Sequence, residues 1–184
     1  MIRPVTGDDA KAICDIYNHY VENTTVTFEE QAVSVDDMAG RIREITSLYP
    51  WLVLEEEGRV VGYAYAARWK TRASYRYSVE STIYLDRGAT GRGLGSGLYA
   101  ALLAILRARP VHCVVAGIAL PNPASVALHE RLGFRKVAHF NEVGRKYDRW
   151  IDVGYWELII GDDLADWMDP QKTNDTEART TLFG

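Results

Sequence analysis

"TGRGLGSGLYAALLAILRARP" occupies residues 90–110 and places a run of glycines directly before a helical pattern. The glycines alternate with other residues at positions 91, 93, 95 and 97. One apolar stripe at helical spacing predicts a packed helix from Leu94 to Ala108, and it consists of Leu94, Leu98, Leu102, Ile105 and Leu106. The glycines therefore lie at the N-terminus of this helix, where the first amides lack intrahelical partners and the helix dipole is positive.

Such a helix start is typical of an anion-binding site. Glycine lets a ligand approach the backbone without a Cβ in the way. Arg92 adds a positive charge where the helix dipole already disfavours a cation, which is understandable if an anion binds there. The stretch therefore predicts a phosphate or diphosphate ligand. The alternative is a flexible turn whose glycines serve no ligand.

Two common nucleotide motifs do not fit this stretch. A P-loop needs a Gly-Lys-Ser/Thr ending, which is absent here. A dinucleotide fingerprint would have to be read as Gly95-x-Gly97-x-x-Ala100, inside the predicted helix, and no acidic residue follows at the required distance.

The composition indicates one globular domain. The chain has 184 residues, of which 47% are apolar, and a net charge of −4, which disfavours nucleic acid as a partner. Cys14 and Cys113 lie far apart in apolar settings, so we expect reduced core thiols and no metal site. We see no signal peptide and no run of 18 apolar residues, and we expect no membrane partner and a cytoplasmic location.

The pattern along the chain predicts a mixed α/β domain over residues 1–160. Helices are expected after Asp9, from Ser34 to Pro50, over 94–108 and over 121–133. Strands are expected at the N-terminus, as a pair over 51–69 turning at Glu57-Gly58, over 75–86, over 111–119 and within 135–160. The apolar run over 111–119 suggests a strand covered on both faces. The polar tail 161–184 is expected to be partly disordered.

Two segments together resemble the GNAT family of N-acetyltransferases. "RGLGSG", residues 92–97, is similar to the R/Q-x-x-G-x-G/A signature, and "NPASVALHERLGF", residues 122–134, is similar to the N-x-x-S…L-G-F segment. The resemblance runs from about Ile2 to Ile160. It implies a mixed, mostly antiparallel central sheet flanked by helices, and acetyl-CoA as co-substrate.

A narrower resemblance rests on four dispersed segments in the same order. They are "IYNHYVENTTVTFEE" (16–30), "YSVESTIYL" (77–85), "LHERLGF" (128–134) and "VGRKYDRWIDV" (143–153). These segments resemble the phosphinothricin and methionine sulfone/sulfoximine acetyltransferases. The resemblance implies acetylation of the α-amine of a small amino acid or analogue.

The resemblance also implies where the co-substrate binds. The diphosphate is expected at the glycine loop, on Gly91, Arg92, Gly93, Leu94, Gly95 and Ser96. The pantetheine arm is expected along Ile83, Tyr84 and Leu85, where a backbone amide can hydrogen-bond the thioester oxygen, and against Asn122.

Glu80 is the candidate catalytic base. Strand alternation places it on one face with Ser78 and Thr82, and a partly desolvated carboxylate there could accept the proton of the amine. The alternative is an ion pair with a nearby arginine. His129 stands where many family members have the tyrosine that protonates the leaving thiolate, and it is either that acid or a packing residue. The thiolate can also leave unaided.

The basic segment "RWKTRASYR", residues 68–76, is the candidate acceptor-binding region. Its cations, Arg68, Lys70, Arg72 and Arg76, could hold a carboxylate, or could belong to a solvated loop. The resemblance implies substrate contacts from Lys70, Thr71 and Arg72, with Tyr75, Phe28 and Trp69 as walls. Residues 144–150 could reach the site across a homodimer interface.

The sequence thus predicts an N-acetyltransferase that works by direct attack of the amine. Neither cysteine has a visible partner base, which argues against a covalent enzyme intermediate. One alternative acceptor is another amine, such as a peptide N-terminus or a polyamine, although a polyamine site should be acidic. A non-catalytic acetyl-CoA-binding module is the other alternative, and it would not need Glu80.

Overall fold

A computed structural model describes residues 1–161. The tail 161–184 is expected to be partly disordered, and all of it except Gly161 lies outside the described residues. The helices are α1 (Ala10–Asn23), α2 (Val35–Thr46), α3 (Leu94–Arg107) and α4 (Pro123–Arg131). The strands are β1 (Ile2–Pro4), β2 (Trp51–Glu56), β3 (Arg59–Arg68), β4 (Ser78–Leu85), β5 (Cys113–Leu120), β6 (Arg135–Lys146) and β7 (Arg149–Ile159).

The strands form one seven-stranded sheet in the order β1-β2-β3-β4-β5-β7-β6. Every neighbouring pair is antiparallel except β4 and β5, which are parallel. The parallel pair is possible because α3 returns the chain across the sheet between these two strands. The predicted mixed α/β fold with a mostly antiparallel sheet is confirmed.

The ladder between β4 and β5 is short. It consists of the pairs Ser78–Cys113, Val79–Val114 and Glu80–Val115, after which the two strands separate. On its other edge β4 stays paired with β3 as far as Leu85, and β5 stays paired with β7 as far as Leu120. The middle of the sheet therefore opens into a fork, which we call the β4–β5 cleft.

Helices cover the two faces of the sheet unequally. On one face α3 packs Leu98 and Leu102 into a core that spans the sheet from Leu52 to Trp156. On the other face α1 and α2 cover β2, β3 and Tyr84 of β4, and do not extend the core over β5 and β7. Gly117 of β5 is consequently exposed, so the expectation that this strand is covered on both faces is wrong beyond Ala116.

Local signals in the sequence mark the element ends well. The Ser34 hydroxyl accepts the Asp37 amide at 3.1 Å and caps α2 as predicted. The helix ends at Thr46, before Pro50, because the chain turns back onto the Ile45 carbonyl. The Glu57-Gly58 turn is confirmed, with φ of 50° and 75°.

Both cysteines are free thiols, as predicted. Cys14 lies in the core, whereas Cys113 is only half-buried and lines a cavity, so its assignment to the core is wrong. Within residues 1–161 no helix combines the length and apolar character needed to cross a membrane.

The four glycines at 91, 93, 95 and 97 differ in whether the structure requires glycine at their positions. Gly91 and Gly93 have positive φ of 73° and 78°, a conformation that L-residues rarely adopt. Gly95 is buried, and an added Cβ would lie 3.4 Å from Leu85 and 3.6 Å from Leu128. Gly97 has open space around it and no positive φ. The chain itself therefore requires glycine at 91 and 93, requires a small residue at 95, and does not require glycine at 97.

This difference predicts opposite effects of two Ala substitutions. Gly93→Ala should lower the free energy of unfolding by about 1–2 kcal/mol, because alanine would be forced into the left-handed region. Gly97→Ala should raise it by about 0.5–1 kcal/mol, because alanine favours a helix interior over glycine. Urea unfolding monitored by circular dichroism measures both. Equal shifts for the two variants would contradict the assigned backbone conformations.

Candidate functional site

A cavity of about 460 Å³ opens on the part of the sheet that α1 and α2 leave uncovered. We call it the sheet-face cavity. Its walls are mostly apolar, with one carboxylate and one phenol among them, and they consist of Val26, Phe28, Glu80, Gly117, Ala119, Phe140, Val143, Val153 and Tyr155. A mostly apolar pocket with few polar groups is a common form of small-molecule site.

The β4–β5 cleft holds a narrower pocket of about 110 Å³. Its lining is mostly polar or backbone, and it consists of Val26, Ser81, Thr82, Ile83, Tyr84, Gly117, Ile118, Ala119, Asn122, Ser125 and His129. Val26, Gly117 and Ala119 line both spaces. The cleft and the sheet-face cavity therefore meet beside β5.

Glu80 lies at the point where the two spaces meet. It is the last residue of β4 that pairs with β5, and its carboxylate faces the sheet-face cavity. Burial raises the pKa of Glu80, while the positive charge of Lys70 acts in the opposite direction. Within residues 1–161 the carboxylate makes no ion pair, so the arginine pairing considered from the sequence is not present.

Gly117 keeps space open over this carboxylate. A Cβ at Gly117 would lie 3.6 Å from Glu80 Oε1 and 3.2 Å from the Tyr155 ring. Any larger side chain would fill the passage between the cleft and the sheet-face cavity. The absence of a side chain at this position therefore lets an atom in the cleft come close to Glu80.

His129 lies at the other side of the cleft in a buried hydrogen-bond network. Its Nδ1 is 2.8 Å from the Ser125 carbonyl oxygen, which can only accept, so Nδ1 donates there. Its Nε2 is 3.1 Å from Tyr99 Oη, which in turn is 2.5 Å from Ser81 Oγ. Burial lowers the pKa of His129, with the Ser125 contact acting in the opposite direction. These contacts favour a neutral imidazole.

The glycine loop brings exposed amides to the N-terminus of α3. Ser96 donates to the Gly93 carbonyl at 3.2 Å, whereas no hydrogen bond from the amides of residues 91–95 to another part of residues 1–161 is present. Arg92 makes a bidentate ion pair with Glu56 at 2.8 and 3.1 Å, with half of its side chain exposed. Exposed pairs of this kind contribute little, so the guanidinium can exchange Glu56 for a bound anion.

Three of the four other residues predicted to contact the co-substrate line the cleft. They are Ile83, Tyr84 and Asn122. The Asn122 side chain also accepts the Ser125 amide at 3.1 Å and caps α4. Leu85 does not line the cleft, and its carbonyl accepts a hydrogen bond from the Tyr20 hydroxyl at 2.7 Å.

The predicted acceptor-binding residues divide into two groups. Phe28 lines the sheet-face cavity. Lys70, Tyr75 and Trp69 line a second cavity of about 370 Å³, which shares Phe140 and Tyr155 with the first. Thr71, Arg72 and Arg76 are exposed and line neither cavity, and the Arg76 guanidinium lies 4.5 Å from the Tyr77 ring centroid.

Several lining residues were missed from the sequence. Gly117, Phe140, Val153 and Tyr155 come from β5, β6 and β7, which carry no polar motif at these positions. Alternation along each strand could have placed them on a face. Only the strand order and the fork in the sheet bring them next to Glu80.

Comparison with known proteins agrees with this geometry. The family model described as "Acetyltransferase (GNAT) domain" matches residues 2–154. Phosphinothricin N-acetyltransferase of Streptomyces viridochromogenes is 44% identical over 156 residues, which cover 85% of this chain and 85% of that protein. The L-methionine sulfoximine/L-methionine sulfone acetyltransferase of Salmonella typhimurium is 36% identical over 166 residues, covering 89% and 96%.

A solved structure shows the same fold. The GNAT superfamily phosphinothricin acetyltransferase from Sinorhizobium meliloti, crystallised in complex with acetyl-CoA, superposes with a TM-score of 0.86 at 36% identity. The match covers 90% of this chain and 90% of that one. The family predicted from residues 92–97 and 122–134 is confirmed, and the chain belongs to the GNAT family of acetyltransferases.

Proposed function

We propose that this chain transfers the acetyl group of acetyl-CoA to the α-amine of a small amino acid or amino-acid analogue of the phosphinothricin or methionine sulfone/sulfoximine type. The observation that carries the proposal is the position of Glu80. Its carboxylate lies where a cleft for one reactant and a cavity for the other meet. Such an arrangement suits direct transfer between two bound molecules.

The residues along the cleft fit acetyl-CoA. The unpaired amides of the glycine loop, together with Arg92, offer a site for a diphosphate at the positive end of α3. Ile83 and Tyr84 line the cleft, where β4 is no longer paired with β5 and its free edge can pair with an extended, amide-containing arm, and Asn122 adds a polar side chain. Acetyl-CoA supplies the activated acetyl group as a thioester. A β4 amide facing the cleft can donate to the oxygen of that group.

Glu80 acts as the base in this proposal. Its partial burial keeps the carboxylate poorly solvated, which raises its affinity for the proton that the amine must lose. Lys70 lines the second cavity, and its ammonium group is the candidate partner for the carboxylate of the acceptor. The apolar wall of the sheet-face cavity then faces the acceptor side chain.

His129 fits a hydrogen-bonding role better than proton donation. Both ring nitrogens have protein partners, and burial disfavours the charged imidazolium that would donate a proton. The network holds the wall of the cleft opposite β4. The leaving thiolate needs no acid from the protein, because its conjugate acid is only moderately weak.

We also infer a homodimer that works in the cytoplasm. The β6–β7 hairpin carries apolar side chains that are about half exposed, namely Val137, Phe140, Val143, Tyr147 and Trp150. Several of them border the two cavities, so a second copy packed there would also shield the site. Two free thiols suit a reducing compartment. Sedimentation equilibrium tests the dimer, and a monomer at micromolar concentration contradicts it.

Glu80→Gln is the variant that tests the function. The wild type should release thiol from acetyl-CoA with methionine sulfone, methionine sulfoximine or phosphinothricin, and the variant should be slower by about 10²–10⁴-fold, because a general base contributes that much. Calorimetry should give the same acetyl-CoA affinity for both proteins. If the wild type binds acetyl-CoA but acetylates no amino acid, the chain is a binding module. Preference for a polyamine or peptide would contradict the acceptor class.

The pH profile tests the charge that acts on Glu80. Only the carboxylate can accept a proton, so activity is lost as the pH falls through the raised pKa of Glu80. Lys70→Met removes the charge that lowers this pKa. The acidic loss of kcat/KM should therefore move to higher pH, while Lys11→Met, at an exposed site on α1, should leave the profile unchanged. An unchanged profile in Lys70→Met would show that Lys70 does not act on Glu80.

Nitrogen–proton correlation NMR of the imidazole tests the state of His129. At neutral pH the ring should be uncharged, with the proton on Nδ1, because this nitrogen donates to Ser125 and burial lowers the pKa. Tyr99→Phe should leave the ring uncharged, because burial still disfavours the imidazolium. An imidazolium at neutral pH in the wild type would support the proton-donating role instead.

A further inference from the structure

Lys146 is a buried lysine whose ammonium binds backbone rather than an acid. Its side chain is 2% exposed. Nζ donates to the Val21 carbonyl at 2.6 Å and to the Thr27 carbonyl at 2.9 Å. The neighbouring Tyr147 hydroxyl also donates to the Val21 carbonyl, at 2.9 Å. The end of β6 is therefore tied to two points about six residues apart in another part of the chain.

The two carbonyls explain why a lysine stands there. Val21 belongs to the last turn of α1, where carbonyls lack intrahelical partners and the helix dipole is negative. Thr27 lies in the segment 24–34 between α1 and α2, which we call the α1–α2 loop. An ammonium group has three donors and can bind both carbonyls at once, which an apolar residue of the same length cannot do.

Gly144, on the same face of β6, makes the second contact with this loop. The Phe28 ring lies against its backbone so closely that an added Cβ would overlap the ring. Phe28 is itself 41% exposed, so burial alone does not fix its position. The absence of a side chain at Gly144 therefore decides where the Phe28 ring can lie.

These contacts meet at the wall of the sheet-face cavity. Val26 and Phe28 flank Thr27 in sequence, and both line the cavity. Because Thr27 is held by Lys146 and Phe28 rests on Gly144, the shape of this wall depends on β6. Neither Lys146 nor Gly144 lines the cavity itself.

We propose that Lys146 and Gly144 set the acceptor side-chain specificity of the enzyme, by holding Val26 and Phe28 in place as one wall of the sheet-face cavity. The proposal rests on the function proposed above. Lys146 acts as a positioning residue through the carbonyls of Val21 and Thr27. Gly144 determines specificity through the Phe28 ring.

The chemistry of the wall defines the preferred acceptor. Phe28 faces a space whose other large side chains are Phe140, Val143, Val153 and Tyr155. An unbranched apolar chain of methionine length can reach these side chains, while glycine and alanine have no side chain long enough to contact them. The enzyme should therefore prefer methionine or norleucine over glycine, mainly through a lower KM.

Two variants disturb the wall from different sides. Lys146→Met keeps the length of the side chain and removes the donors, which costs stability because the buried Thr27 carbonyl loses its ammonium partner. Gly144→Ala keeps the lysine and displaces the Phe28 ring. Phe28→Leu changes the wall directly at a position that is 41% exposed, so we expect it to fold even if the other two do not. The matched controls are Lys136→Met, elsewhere on β6, and Gly7→Ala, at a glycine with open space around it.

The measurement is the ratio of kcat/KM for norleucine to that for glycine in a thiol-release assay. We expect the three wall variants to lower this ratio by about tenfold, the discrimination that a few methylene contacts provide, through KM rather than kcat. Acetyl-CoA affinity by calorimetry should stay unchanged, and both controls should keep the wild-type ratio. Loss of stability alone would lower the amount of active enzyme for both acceptors and leave the ratio unaltered.

Three outcomes overturn the proposal in distinguishable ways. If the wild type prefers norleucine and folded Lys146→Met and Gly144→Ala keep that preference, β6 does not set the wall, and the proposed function stands. If Phe28→Leu also keeps the preference, the side chain does not bind in this cavity. If the wild type acetylates no amino acid, the proposed function fails and this inference fails with it.

Discussion

The end of pairing between β4 and β5 is the constraint on which the site depends. Buried backbone groups left without partners are costly, so a ladder that stops inside a central sheet needs other partners for these groups. Here the ladder stops after Glu80 and Val115, and beyond this point side chains form hydrogen bonds between the separated strands. The hydroxyl of Ser81, the first residue beyond the ladder, lies 3.2 Å from the Val115 carbonyl oxygen and 2.5 Å from Tyr99 Oη. Tyr99 and His129 continue from Ser81 into the cleft, so a side-chain network stands where backbone pairs would otherwise form.

The fork connects two spaces on different sides of one carboxylate. A flat, fully paired sheet would separate the face that carries α3 from the face that carries α1. The separation of the strands, together with the missing side chain at Gly117, joins the cleft to the sheet-face cavity beside Glu80. The partial burial of this carboxylate raises its pKa. The same break in the ladder therefore creates the meeting point of the reactants and the basicity of the group between them.

Local features of the fold could be predicted from the sequence, because their causes lie within a few residues. The start of α3 at Leu94, the cap at Ser34 and the Glu57-Gly58 turn are of this kind. The side of β4 on which Glu80 lies also follows from alternation alone. The family could also be predicted, because residues 92–97 and 122–134 match the residue types and spacing of two GNAT motifs.

Features that depend on distant parts of the chain could not be predicted. The pairing of Arg92 with Glu56 joins residues 36 positions apart, and Lys146 reaches Val21 from 125 positions away. The exposed face of β5 follows from where α1 and α2 end, which the apolar run over 111–119 does not reveal. The cleft exists because β4 and β5 stop pairing, and strand propensity does not indicate where two strands stop pairing. Much of the acceptor wall was therefore outside the reach of sequence patterns.

Amide hydrogen exchange with and without acetyl-CoA tests the central claim most directly. The amides of residues 91–95 have no partner in residues 1–161, so they should exchange rapidly in the free protein. Binding should slow exchange strongly at residues 91–97 and along the cleft-facing parts of β4 and β5, and leave β1 and β2 unaffected. Unchanged exchange at the glycine loop, with protection at another surface, would contradict the account.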